Sequence, residues 1–103
     1  MNYAVFITES FGERIETLSN ADKGIIEKLY SQLKDNPYVG DQIRYKFFRE
    51  KRLREKRIYY LVYDDLKSVL IVAIGGKKTQ KETIDGIIEM FPEFREYILK
   101  LLS

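Results

Sequence analysis

Seven of the twelve residues from Lys46 to Arg57 are cationic: Lys46, Arg49, Lys51, Arg52, Arg54, Lys56 and Arg57. A second basic group, Lys77, Lys78 and Lys81, follows Gly75-Gly76. Phosphate backbones are held in this way, by several Lys and Arg side chains at once. Tyrosines 59, 60 and 63 lie beside the first group. Aromatic residues on a strand ordinarily pack across it, so Tyr59 and Tyr63 are expected in the core. Tyr60 is open between packing, base stacking and proton donation. The expected RNA-facing set is therefore Lys46, Arg49, Lys51, Lys56, Tyr60, Lys77 and Lys81, beside Arg52, Arg54, Arg57 and Lys78. A solvated hairpin would give a single charge run, whereas recurrence of the basic character at two separated places favours a site.

The chain holds no Cys and no His, which excludes thiol nucleophiles, disulfides, His-based triads and Cys/His zinc sites. Its acidic residues are scattered, with Asp64-Asp65 in an expected turn, so no metal cluster and no cofactor site is expected. Gly76-Lys77 lacks the glycine five residues earlier and the following Ser/Thr of a phosphate-binding P-loop, since Ile71 and Lys78 occupy those places. RNA still offers a reaction that these residue types can drive. Its 2′-hydroxyl can attack the adjacent phosphate, given a base for the proton and cations for the developing charge. Lysine serves as base when neighbouring cations depress its pKa, and arginine stabilises the charged transition state. DNA, without that hydroxyl, cannot react by this route.

Charge is segregated along the chain. Residues 44–81 carry 12 Lys/Arg against four Asp/Glu, so the remainder carries a net −6 within the overall +2. A basic face on an otherwise acidic surface suits a polyanionic partner. At 103 residues, with 45% apolar content, the sequence predicts one domain with one core. The first residues lack a basic, then apolar, leader pattern, and no run is long enough to span a bilayer, so the expectation is a cytoplasmic chain without membrane contact.

The elements that must position these residues follow from periodicity. Tyr3 to Thr8 reads as a strand apolar on both faces, hence central. Phe11, Ile15 and Leu18 form one helical stripe. A second helix is expected from Ala21 to Lys34, with Ser19 and Asp22 at capping-box spacing and Ile25, Leu29 and Leu33 on its apolar face. Period two then appears around Ile43 to Phe48, followed by a charged connection over 49–56 and a strand from Arg57 to Tyr63. In that strand Ile58, Tyr60 and Val62 oppose Tyr59, Leu61 and Tyr63. Val69 to Ile74 reads as a buried strand ending at Gly75-Gly76. Thr79 and Glu82 have the spacing of another cap, opening a helix with Ile84, Ile87 and Ile88, and Pro92 starts a last one with Phe94, Ile98 and Leu101. The predicted fold is α+β: a strand, a helical hairpin, a three-stranded antiparallel meander and C-terminal helices, with helices on one sheet face and the other free for a ligand.

Leu53-Arg54 followed by Arg57-Ile58-Tyr59-Tyr60, an acidic turn, an apolar strand and Gly76-Lys77-Lys78-Thr79-Gln80-Lys81 resembles the RelE/ParE superfamily, and RelE/HigB toxins in particular. The resemblance covers most of the chain. It implies a compact metal-independent ribonuclease of a type II toxin–antitoxin pair, cutting mRNA at the ribosome and neutralised by a cognate antitoxin. By position it implies that one of Arg52 and Arg54 is the base, that Arg57 stabilises the phosphate and that Lys78 stabilises the transition state. Lys51 and Lys56 are alternative bases, because arginine stays charged. Where many members carry a Tyr or His in the final segment as acid or stacking group, the corresponding region of this sequence reads Glu82-Thr83-Ile84. Two other readings remain open: a ParE-like gyrase inhibitor acting by protein contact, and a non-catalytic RNA-binding module.

Overall fold

A computed structural model describes residues 2–103. The element order is β1 (Ala4–Ile7), α1 (Glu9–Glu16), α2 (Asn20–Asp35), β2 (Asp41–Ile43), β3 (Tyr45–Leu53), β4 (Lys56–Tyr63), a 3₁₀ turn (Asp64–Leu66), β5 (Ser68–Gly76), α3 (Gln80–Glu89) and α4 (Phe91–Leu102). The sheet runs β1-β5-β4-β3-β2, with β1 parallel to β5 and every other pair antiparallel. The α+β class and the β3–β4–β5 meander are those expected. Among the described residues, no helix is long and apolar enough to cross a membrane.

The layers differ from the expectation. Ile58, Tyr60 and Val62 of β4 pack with Phe11, Leu18, Ile26, Leu29 and Leu33 of the α1–α2 hairpin. Tyr59, Leu61 and Tyr63 pack on the opposite face with Ile84, Ile87 and Ile98 of α3 and α4. Helices therefore cover both faces of β4, which is not left open on either side for a ligand, whereas β2 and the first residues of β3 stay exposed. Each fully buried Leu, Ile or Phe contributes roughly 1.5–3 kcal/mol, so two apolar faces on one strand demand two covering layers.

Double-sided cover also corrects the position of β1, which is an edge strand rather than a central one. Its two apolar faces lie under helices from both layers, and its outer rim is partly capped by side chains. Tyr30 donates its hydroxyl to the Val5 carbonyl at 2.7 Å, Tyr97 donates to that of Ile7 at 3.4 Å, and the Tyr3 amide donates to the Lys34 carbonyl at 2.9 Å. Such cover limits the pairing of an edge with another chain.

At helix starts, local chemistry decides between two similar signals. Ser19 accepts the Asp22 amide at 3.1 Å, as its spacing predicts, and Thr8 accepts that of Phe11 at 3.2 Å. Thr79 makes no such bond, because its backbone (φ −104°, ψ 14°) is not in the extended conformation a capping side chain needs. On α2 the buried stripe is Ile26, Leu29 and Leu33, while Ile25 is exposed, a shift of one position from the expected face.

Candidate functional site

Strands β3 and β4 continue almost to their connection, so the expected charged loop over 49–56 shrinks to Arg54-Glu55. Arg54 lies in the left-handed region at φ 56°, which lets two residues reverse the chain. This brings the hairpin tip beside the exit of β5. Register then fixes the neighbours: Arg52 lies opposite Arg57, and Arg57 opposite Gly75 on its other side.

A cleft of about 950 Å³ opens between the hairpin tip and the segment leading into α3. Six cations line it: Arg52, Arg54, Lys56 and Arg57 from the hairpin, and Lys77 and Lys78 from beyond β5. Glu55 is the only acid in its lining. All four residues expected to do chemistry, Arg52, Arg54, Arg57 and Lys78, therefore meet in one place. They differ in freedom. Arg57 is only 9% exposed and lies 3.5 Å from Glu50 through its Nε, while Arg52, Lys77 and Lys78 are exposed and form no ion pair among the described residues. Arg54 and Lys56 lie 3.8 and 3.7 Å from the two oxygens of Asp22, in the first turn of α2.

Five of the residues expected to face RNA lie elsewhere. Tyr60 is fully buried in the α1–α2 layer, where its hydroxyl accepts the Gly40 amide at 2.9 Å, and burial pushes its pKa up. It cannot stack on a base. Arg49 donates to the carbonyls of Gly40 at 2.7 and 3.1 Å, of Tyr38 at 3.2 Å and of Lys46 at 3.0 Å, so its guanidinium holds a loop instead of a phosphate. Lys46 sits over the Tyr38 ring, 5.3 Å from its centroid, at the far end of β3. Lys51 lies opposite Ile58 and does not line the cleft. Lys81 pairs with Asp85 at 3.5 Å, one turn along α3 and outside the cleft.

Three residues at the site were missed in sequence. Glu50 and Gln80 meet beside Arg57, with Gln80 Nε2 3.4 Å from Glu50 Oε2, and Asp22 reaches the hairpin tip. Alternation could have put Glu50 on the face of Arg57, but only once the hairpin register was known.

At the opposite end of the hairpin, Asp64 accepts the hydroxyls of Tyr3 at 2.7 Å and Tyr38 at 2.6 Å. These bonds hold the Asp64 carboxyl below its ordinary range, while burial and the Asp64 bond push Tyr38 up to about 12. Burial likewise pushes Tyr63, on the covered face of β4, up to about 12. The cluster ties the N-terminal strand, the loop after α2 and the β4–β5 turn together.

No protein-family model matches the sequence, and no curated protein does. Solved structures do resemble the chain. It is similar to a double mutant of the E. coli toxin RelE in the free state, with a TM-score of 0.69 and 17% identity over 84% of this chain and 99% of that one. A chain of the RelE–RelB complex from Pyrococcus horikoshii gives 0.64 and 20% identity, over 75% of this chain and 97% of that one. A chain of a RelBE toxin–antitoxin complex from Mycobacterium tuberculosis gives 0.63 and 20%, over 75% and 93%. The class is thus a small α+β domain with a mixed five-stranded sheet and a helical hairpin after the first strand. More particularly, the fold is that of the RelE toxins.

Proposed function

We propose that this chain is the toxin of a toxin–antitoxin pair and cleaves mRNA at the ribosome, using only its own side chains. The observation that carries the reading is the gathering of six cations, from two separated stretches of sequence, into one cleft on a RelE-like fold. A phosphodiester crossing that cleft would meet Arg57 at its buried side and Arg52, Lys77 and Lys78 from its exposed walls. Cations gathered in this way act where charge develops in the transition state, and Arg57 is held in place for it by Glu50. In this reading the 2′-hydroxyl gives its proton to a base at the hairpin tip (Arg52, Arg54 or Lys56) and attacks the neighbouring phosphorus, Arg57 and Lys78 stabilise the charged intermediate, and the P–O5′ bond breaks to leave a 2′,3′-cyclic phosphate and a 5′-oxygen that takes up a proton. An antitoxin protein is the proposed partner, by analogy with the RelB-containing complexes of similar fold.

The test is induction of the chain in cells, with mRNA 5′ ends mapped across the transcriptome. Codon-phased cuts are expected, and Arg57→Ala and Lys78→Ala should each suppress them. Intact mRNA together with DNA damage would replace this reading with gyrase inhibition. Intact mRNA, no DNA damage and retained RNA binding would leave a binding module.

A further inference from the structure

Glu50 and Arg57 form the most enclosed ion pair described in the molecule, with side chains 18% and 11% exposed. A guanidinium carries five N–H donors and stays charged. Buried donors are almost always satisfied, and an exception needs an explanation. Arg57 Nε is buried without a hydrogen bond, since the Glu50 oxygen at 3.5 Å gives a charge contact only. No other hydrogen bond from this guanidinium is made among the described residues.

Arg52 sets a like charge opposite that side chain. Directly opposed cross-strand positions hold their Cβ atoms about 4.5–5.5 Å apart, and like charges there repel. Arg52 and Arg57 are such a pair. Glu50 precedes Arg52 by two residues, so it shares the sheet face of both arginines. Its carboxylate is held in turn by Gln80, in the first turn of α3. This chain of contacts opposes the repulsion and links the hairpin to the α3 end of the cleft.

We infer that Glu50, braced by Gln80, is a positioning residue that sets the Arg57 guanidinium in the cleft. The inference rests on the RNA-cleaving reading for its consequence, while the positioning itself is a property of the folded chain. An arginine that stabilises a transition state acts mainly on kcat, because binding shared by ground and transition states changes KM. Loss of its brace should therefore lower kcat and spare KM.

Two readouts on the full chain test this. The first is the NMR resonance of the Arg57 Nε–H, assigned by comparison with Arg57→Lys. It should be sharp and slow to exchange in the wild type, broadened in Glu50→Gln and Gln80→Ala, and recovered in Glu50→Asp. The second is cleavage of a defined mRNA in a purified translating system. There Glu50→Gln should lower kcat about tenfold or more with KM within about twofold, as misplacement of a catalytic group does, and Glu50→Asp should restore part of the loss. Should Glu50→Gln fail to fold, Gln80→Ala carries both measurements, since it leaves the Glu50–Arg57 charge pair in place. An unchanged Arg57 resonance in the folded variants overturns the inference whatever the cleavage result. Absence of cleavage by the wild type, with the resonance behaving as expected, overturns the nuclease reading alone and leaves the positioning standing.

Discussion

Both ends of the β3–β4 ribbon are rich in arginine and lysine, and they put these residues to opposite uses. Near the β2–β3 end, Arg49 is consumed by three backbone carbonyls, Tyr60 by a backbone amide, and Lys46 lies over a ring. At the hairpin tip, Arg52, Lys77 and Lys78 face solvent without ion pairs among the described residues, and Arg57 is braced without a hydrogen bond. Basic character is common to both ends, but the availability of donors is not. A cation becomes a ligand-binding group when the fold leaves its donors unspent.

The largest expected break in that contrast comes from Arg57→Ala. Removing a preorganised charge-stabilising donor costs about 10²–10³-fold in rate, and a loss of that size in mRNA cleavage is the expected outcome. Arg49→Ala should do the reverse. Leaving part-buried carbonyls without their charged donor costs about 1–2 kcal/mol, to be read by chemical denaturation, while cleavage per folded molecule stays near wild type. Gly40→Ala strikes the same loop. A Cβ there would lie 2.4 Å from the Glu50 carbonyl oxygen and 2.8 Å from the Tyr60 hydroxyl, an overpacking of about 2 kcal/mol or more.

Smaller effects sharpen the picture. The Asp64 carboxyl has a folded pKa below its ordinary value of 3.8, so its contribution to stability is complete above that value and fades as pH falls through the folded one. Asp64→Asn should therefore flatten the acid limb of the stability–pH curve and leave neutral-pH cleavage unchanged. Smallest of all, Lys46→Ala should alter stability by less than about 0.5 kcal/mol, as exposed substitutions do, with no effect on cleavage.

Much of the fold was legible because its signals are local. The alternation of Ile58, Tyr60 and Val62 with Tyr59, Leu61 and Tyr63 describes β4 correctly, and Ser19 caps α2 as its spacing says. What failed depends on the partner surface. Tyr3 to Thr8 looked central because both faces are apolar, yet an edge strand is equally apolar when helices cover both sides. The same cover filled the sheet face expected to bind RNA. The two basic stretches were legible because the hairpin and the β5 exit adjoin the strands that carry them, and the resemblance picked out Arg52, Arg54, Arg57 and Lys78 within them, which the cleft brings together. Arg49 and Tyr60 were not separable from them, because Gly40, which engages both, comes from a loop whose path only tertiary packing fixes. The pairing of Glu50 and Asp22 with cations of the site was not legible for a related reason: an acid acquires such a role only when register or helix docking delivers a cation to it.

Under the proposed nuclease reading, RNA reacts in the cleft and basic character elsewhere on the chain does not suffice. Two matched variants, each losing three cations, test it most directly: Arg52, Lys77 and Lys78 changed to Gln, against Lys46, Lys51 and Lys81 changed to Gln. Cleavage of one mRNA in a purified translating system should fall by about 10²-fold or more in the first, as loss of the charge gathered at the reacting phosphate predicts, and stay within about threefold of wild type in the second. Equal losses in the two variants, or the larger loss in the second, would contradict the account.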